Sequence, residues 1–171
     1  QTYQIHRLDI NSVSLSADGK YAFTGSSDKM AILWESSTGK KLQSFKHRSR
    51  VNHLTISADG QVGFSIDAIN ERKFWDLSKG DEISELATNI KFMEFNDSVF
   101  SKDNKLLLTG SPGKKVQLWQ TIDGELIAEW EIKQTRQRAS VLAVSFLGAG
   151  KVLSESSDGV METWPLPAEK P

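Results

Sequence analysis

Four side chains near the head of the chain could do chemistry: His6, Ser26, Asp28 and Trp34. A hydroxyl (Ser26, or Thr24 two residues earlier), an imidazole and a carboxylate are the parts of a hydrolase triad. In a triad the imidazole takes the hydroxyl proton and the carboxylate orients the imidazole. The same groups can also close on one another inside a fold, because buried polar groups need partners. The elements that carry them decide between these readings.

Other chemistry is thinly represented. The chain has no cysteine, which removes disulfides, thiolate metal ligands and cysteine nucleophiles. His47 and His53 lie six residues apart, His6 is the third histidine, and no metal-ligand spacing emerges. Asp59-Gly60 and Asp103-Asn104 suit turns rather than a calcium loop. Gly110-Ser111-Pro112-Gly113 suits a strand-end turn rather than a phosphate cradle, and Asp81-Glu82 a solvated turn. We expect no metal, no cofactor and no enzymatic activity. At 171 residues, 25% charged and net charge −1, the chain reads as one domain with an ordinary soluble surface. No run reaches the roughly 20 apolar residues of a membrane helix, and no secretory leader shows at Gln1.

Ser14 to Trp34 reads as strand, turn, strand, turn, strand. Asp18-Gly19 and Ser26-Ser27-Asp28-Lys29 supply the turns, with alternating residues between. Three short strands cannot bury both faces alone, and the pattern recurs. Ser57-Ala58-Asp59-Gly60 and Ser101-Lys102-Asp103-Asn104 repeat the first turn. Ser145 to Gly150 repeats it without the aspartate. Each copy ends on a tryptophan, Trp34, Trp75, Trp119 and Trp164, at steps of 41, 44 and 45 residues.

A period of roughly 40–45 residues closed by a strand tryptophan resembles the WD-repeat β-propeller family, over nearly the whole chain. The resemblance implies an all-β fold of four-stranded antiparallel blades, four in this chain, in one propeller region spanning 1–171. The blades fall at about 6–45, 47–87, 91–132 and 138–164. Blade four has three strands of its own, and residues 1–5 form a candidate closing strand. Four blades are fewer than the family's usual seven or eight. The chain is therefore half or part of a larger ring, shares a ring with a second chain, or closes a small ring of its own. Leu107 to Ser111, Val116 to Trp119 and Val141 to Val144 further resemble the C-terminal repeats of bacterial propeller proteins, some of them lipoproteins. That implies a bacterial, periplasmic setting; otherwise the compartment stays open between cytoplasm and periplasm.

The family also implies that the triad-like residues form a structural network. In it the acid accepts from the histidine, the histidine meets the hydroxyl, and the hydroxyl meets the indole N–H. Blade one has the full set, His6, Ser26 (or Thr24), Asp28 and Trp34, and is expected to be the most rigid. Blade two keeps His47, Ser65 and Trp75, with Ile69 at the acid position and Asp67 nearby. Blade three keeps Trp119, with Lys91 and Gly113 at the histidine and acid places. Blade four keeps Ser156, Asp158 and Trp164, with Gln137 for the histidine.

Charge placement adds a binding hypothesis. On the loops of one propeller face, thirteen basic residues stand against seven acidic ones. Lys46, Arg48, Arg50, Arg72, Lys73, Lys114, Lys115, Arg136 and Arg138 are the candidate partner-binding residues. The family implies a protein-interaction scaffold. A basic face suits an acidic protein or peptide, or alternatively nucleic acid or another polyanion. Aromatics that would stack single-stranded bases are scarce in these loops. A ligand-binding or hydrolytic propeller is the third class. Further partners are a second copy or the remaining blades of a parent chain. Trp130, on an outer strand, either packs against a neighbouring blade or marks a subunit contact.

Overall fold

The computed structural model describes residues 4–69, 71–88, 94–133, 139–148 and 150–167. Among these there are strands and turns and no helix, so no helix is long and apolar enough to cross a membrane. The chain divides into two compact units, residues 1–92 with 122–124 and residues 93–121 with 125–171.

The first unit holds two four-stranded sheets. One is β1 (Ile10–Leu15), β2 (Tyr21–Ser26), β3 (Met30–Glu35) and β4 (Lys40–Lys46). The other is β5 (Val51–Ile56), β6 (Val62–Asp67), β7 (Arg72–Asp76) and β8 (Asp81–Glu85). The second unit holds β9 (Asp97–Phe100), β10 (Leu106–Gly110), β11 (Lys115–Gln120) and β12 (Leu126–Glu131). Its last sheet is β13 (Val141–Leu147), β14 (Lys151–Ser156) and β15 (Met161–Pro165). In every sheet the strands pair antiparallel in chain order, and the last has three strands among the described residues. Of the candidate closing strand, residues 1–3 lie outside the described residues, and Gln4 and Ile5 are not in a strand.

The turn chemistry explains the repeat. After β1, the Ser16 hydroxyl donates to Asp18 Oδ1 at 2.6 Å and accepts from Tyr21 N, while Asp18 Oδ1 also accepts from Lys20 N. Ser57 with Asp59 and Ser101 with Asp103 rebuild the same side-chain turn before β6 and β10. Such side-chain turns fix the hairpin without tertiary help. The residue after the aspartate is left-handed in each: Gly19, Gly60, and Asn104 with φ of 61°. Asparagine is the usual substitute for glycine there.

Packing between sheets is equally repetitive. In the first unit, Phe23, Ala31, Leu33 and Phe45 bury against Val51, Leu54 and Ile56 of β5. Gly25 leaves the room: a Cβ there would sit 2.6 Å from Val51 Cγ1. Asn11, at a bulge in β1, donates to Val51 O at 2.9 Å. Within the second unit, Leu108, Val116 and Leu118 bury against Val141 and Val144. Gly110 faces Val141 at 2.5 Å by the same measure, and Asn96 donates to Val141 O at 2.7 Å. Each buried Leu, Val or Phe removes apolar surface worth about 1.5–3 kcal/mol.

Candidate functional site: the hydroxyl–indole relays and the basic loops

Strand register decides which hydroxyl meets each tryptophan. Trp34 on β3 lies opposite Ala22 on β2, which makes Thr24 its diagonal neighbour. Trp34 Nε1 donates to Thr24 Oγ1 at 2.6 Å, and His6 Nε2 meets the same oxygen at 2.8 Å. The indole can only donate, so Thr24 Oγ1 accepts from it, and the Thr24 proton is left for His6 Nε2 or for Ile32 O at 3.3 Å. His6 Nδ1 then donates to Asp28 Oδ2 at 3.0 Å, and Asp28 also accepts from Arg7 N and Met30 N. Burial pushes the Asp28 carboxyl up, but the bonds from Arg7 and His6 outweigh it and hold the group below its usual range.

Thr24 therefore replaces Ser26 in this relay. Two residues along a strand is about 7 Å, which takes Ser26 out of the indole's reach. Ser26 is fully buried, donates to Leu8 O and accepts from Asp28 N. The same correction applies to the last sheet. Trp164 lies opposite Val152, and its indole donates to Ser154 at 3.1 Å. Ser156 instead donates to Asp158 in the following turn. The signal was the spacing: Thr24, Ser65, Thr109 and Ser154 each lie ten residues before their tryptophan.

The second sheet rebuilds the relay with a different acid. Trp75 Nε1 donates to Ser65 Oγ at 2.7 Å, and His47 Nε2 meets that oxygen at 2.8 Å. Neither Ile69 nor Asp67 takes the place of Asp28. Glu71 does: it accepts from Arg48 N at 2.9 Å, as Asp28 accepts from Arg7 N, and its Oε2 stands 3.5 Å from His47 Nδ1. That nitrogen is buried and makes no hydrogen bond. Asp67 is buried and ties down the loop, accepting from the backbone N–H of Ser49, Ile69 and Glu71. Burial pushes the His47 imidazole down, against the opposing fields of Asp67 and Glu71.

His47, Asp67 and Glu71 bring one ligand atom each to within 4.8 Å of one another, a grouping absent from the sequence expectations. Their oxygens are already engaged by three backbone N–H groups on Asp67, and by Arg48 N and Arg48 Nε on Glu71. Lys73 Nζ also stands 3.9 Å from Glu71. The fields of Arg48 and Lys73 oppose a cation there, and the grouping matches the His6–Asp28 relay. Trp119 donates to Thr109 at 3.0 Å. The residues aligned with histidine in the last two repeats, Lys91 and Gln137, lie outside the described residues.

The candidate basic residues separate into classes. Lys46 and Arg50 are exposed at the two ends of the β4–β5 loop. Arg48 between them has a side chain 80% exposed and pairs with Glu71 at 3.1 Å. Arg72 is only 3% exposed and is corrected as a binding residue, since residues buried on β7 are interspersed with half-buried ones and leave its guanidinium little surface. Lys73 is mostly covered and held by Glu82 at 2.8 Å. Lys115 pairs with Glu129 at 2.6 Å, which holds Glu129 below its usual range. Lys114 is half-buried in the β10–β11 turn, and Arg136 and Arg138 lie outside the described residues. Trp130 is partly buried and stacks on Trp164 with ring centroids 6.3 Å apart.

Comparison with known proteins agrees with this architecture. The model of the WD domain, G-beta repeat family matches residues 1–35. No curated protein matches the sequence. The computationally designed protein Ika4 has a similar structure, with a TM-score of 0.72 at 20% identity, covering 97% of this chain and 96% of that one. The designed protein Ika8 is similar at a TM-score of 0.70 and 21% identity, covering 94% of this chain and 47% of that one. The β-propeller domain of Cps50 (Swd1) from Myceliophteria thermophila gives a TM-score of 0.72 at 17% identity, covering 96% and 54%. The chain thus spans about half the length of the last two. Residues 1–35 thus match the model of a WD repeat, and the sheets have the fold of β-propeller blades.

Proposed function

We propose that the chain is a non-catalytic protein-interaction scaffold whose contact surface includes the basic β4–β5 loop. One observation carries the reading. The triad-like groups are spent inside the sheets: the Thr24 and Ser65 hydroxyls are buried, each held between an indole N–H and an imidazole. A nucleophile in that position meets no substrate. What the loop offers outward is Lys46 and Arg50, with Arg48 between them. Such a cluster suits an acidic protein segment, and the scarcity of exposed aromatic residues beside it disfavours single-stranded nucleic acid. The fold's general use as an assembly platform supports the same reading.

The test is binding of a fluorescein-labelled glutamate-rich peptide to the wild-type chain and to the K46E/R50E variant, followed by anisotropy. The variant is expected to bind at least about tenfold more weakly, a difference of about 1.4 kcal/mol. Equal binding overturns the basic-loop contact. Tighter capture of duplex DNA than of peptide, with steep loss in salt, overturns the choice of partner.

A further inference from the structure

The β4–β5 loop and the β6–β7 turn (residues 67–71) of the first unit are fastened to one another. Ser49 N donates to Asp67 Oδ2 and Arg48 N to Glu71 Oε2, each at 2.9 Å. Ala68 N donates to Arg50 O at 3.0 Å, and Arg48 Nε pairs with Glu71 Oε1 at 3.1 Å. These bonds engage both acids of the two segments, Asp67 and Glu71, and both are turned inward. Asp67 is 3% exposed and the Glu71 side chain 12%. The cations face outward: Lys46 and Arg50 are exposed, and so is most of the Arg48 side chain.

Ile69 is the apolar member of this surface. It is 55% exposed in the turn, one residue along from Ala68. A lone apolar side chain in solvent means little, but its position carries more. The matching residue of the first sheet, 41 residues earlier, is Asp28, which accepts from His6 Nδ1, Arg7 N and Met30 N. In the second sheet Glu71 takes the backbone bond of the loop, and Asp67 accepts from Ile69 N and Glu71 N. The Ile69 side chain, being a hydrocarbon, contributes to none of these bonds. A turn gains from Gly, Asn, Asp or Ser, each for a physical reason that isoleucine lacks. The turn therefore does not explain Ile69, which stands beside three outward cations.

A segment bearing only carboxylates would leave Ile69 in water. One that sets an apolar side chain beside its carboxylates removes that surface from solvent while the carboxylates meet Arg48 and Arg50. Arg48 is pre-set for such a contact, because Glu71 holds both its backbone N and its Nε and less freedom is lost on binding. We propose that Ile69 determines the specificity of the basic loop, selecting an acidic peptide segment with a large apolar side chain next to its carboxylates. This selection rests on the β4–β5 loop being the contact surface and sets what else the partner must carry.

The probes are two fluorescein-labelled peptides of equal length and charge. One is made of glutamate and serine, and the other has leucine in place of each serine. Both are titrated with the full chain and followed by anisotropy. The wild type is expected to bind the leucine peptide about fivefold more tightly, the order of effect of covering half an isoleucine. Ile69→Ser is expected to erase that preference while keeping the affinity for the serine peptide and the urea midpoint, since the side chain is exposed and serine suits a turn. Equal affinities in the wild type overturn the role of Ile69, as does a preference that survives Ile69→Ser. Equal weakening of both peptides by Ile69→Ser also overturns it, because Ile69 would then be holding the loop rather than touching the partner. The two readings fail separately. A wild type that binds neither peptide, or a K46E/R50E variant that loses neither, overturns the basic loop and the selection with it. Binding that is lost in K46E/R50E but shows no leucine preference overturns the selection alone.

Discussion

Two buried relays in the first unit solve the same problem with different parts. In the first sheet, Thr24 joins Trp34 to His6, and Asp28 closes the relay at 3.0 Å. In the second, Ser65 joins Trp75 to His47, and Glu71 stands 3.5 Å from the imidazole without a hydrogen bond. The acids come from different turn positions, six residues before Trp34 and four before Trp75. The longer glutamate side chain makes up part of the difference. In the second unit, Trp119 with Thr109 and Trp164 with Ser154 keep the hydroxyl–indole bond. The constant element is the indole tied to a hydroxyl ten residues earlier. The imidazole and the acid are additions that lock a loop to it.

If the indole is the constant element, its removal should cost most, and similarly in both units. Trp34 and Trp119 are 7% and 1% exposed. Trp34→Ala and Trp119→Ala should each destabilise by about 3–5 kcal/mol in chemical denaturation. A cost below about 1 kcal/mol at Trp34 would show that the indole does not anchor its sheet.

The hydroxyl comes next. Thr24→Val keeps shape but leaves His6 Nε2 and Trp34 Nε1 without their shared partner, at a cost of about 1–3 kcal/mol. Ser26→Ala removes bonds only to Leu8 O and Asp28 N, and should cost less, about 1 kcal/mol. The reverse order of the two costs in urea titrations would restore Ser26 to the relay.

The difference between the two acids should appear as a pH dependence. Folding lowers the His47 pKa below the ordinary 6.5, mainly by burial. The groups around it are Asp67 and Glu71, which pull the other way, with Lys73 and Glu82 beyond. As pH falls below about 6.5, the unfolded chain takes up a proton that the folded chain refuses. Stability is therefore lost downward from that point until the folded pKa is passed, and the group contributes nothing to the slope above it. His47→Gln should flatten the decline in denaturation midpoint between pH 7 and 5.5. An unchanged slope would mean that His47 does not titrate differently in the two states.

How much of this was legible depended on how local the determinants are. The Ser-x-Asp-Gly turn and the strand tryptophan are local, so the strand–turn–strand–turn–strand pattern of Ser14 to Trp34 was legible and reappears as β1, β2 and β3. The hydroxyl partner needs the register of two strands, and the choice between Thr24 and Ser26 follows only once Trp34 is known to oppose Ala22. Glu71 was missed because its loop approaches His47 differently, so alignment by count pointed to Ile69. Arg72 was misread because a charged residue beside a loop looks solvated in sequence, whereas its side chain is only 3% exposed.

The smallest effect separates the β2–β3 turn from its counterparts. The residue five before the tryptophan is left-handed in three repeats: Lys29 at φ 72°, Lys114 at 69° and Gly159 at 80°. Only glycine adopts this region freely, and a Cβ-bearing residue is strained there by about 1–2 kcal/mol. Lys29 is exposed, and its hydrogen bonds run through its backbone, from its N to Ser26 O and from His47 N to its carbonyl. Lys29→Gly keeps both bonds and relieves the strain, but loosens the unfolded chain, which offsets part of the gain. The net expectation is stabilisation by about 0.5–1 kcal/mol in urea titration, with His47 still held at its N–H. Destabilisation would show that the lysine side chain, rather than the turn conformation, holds the β4–β5 loop against the first relay.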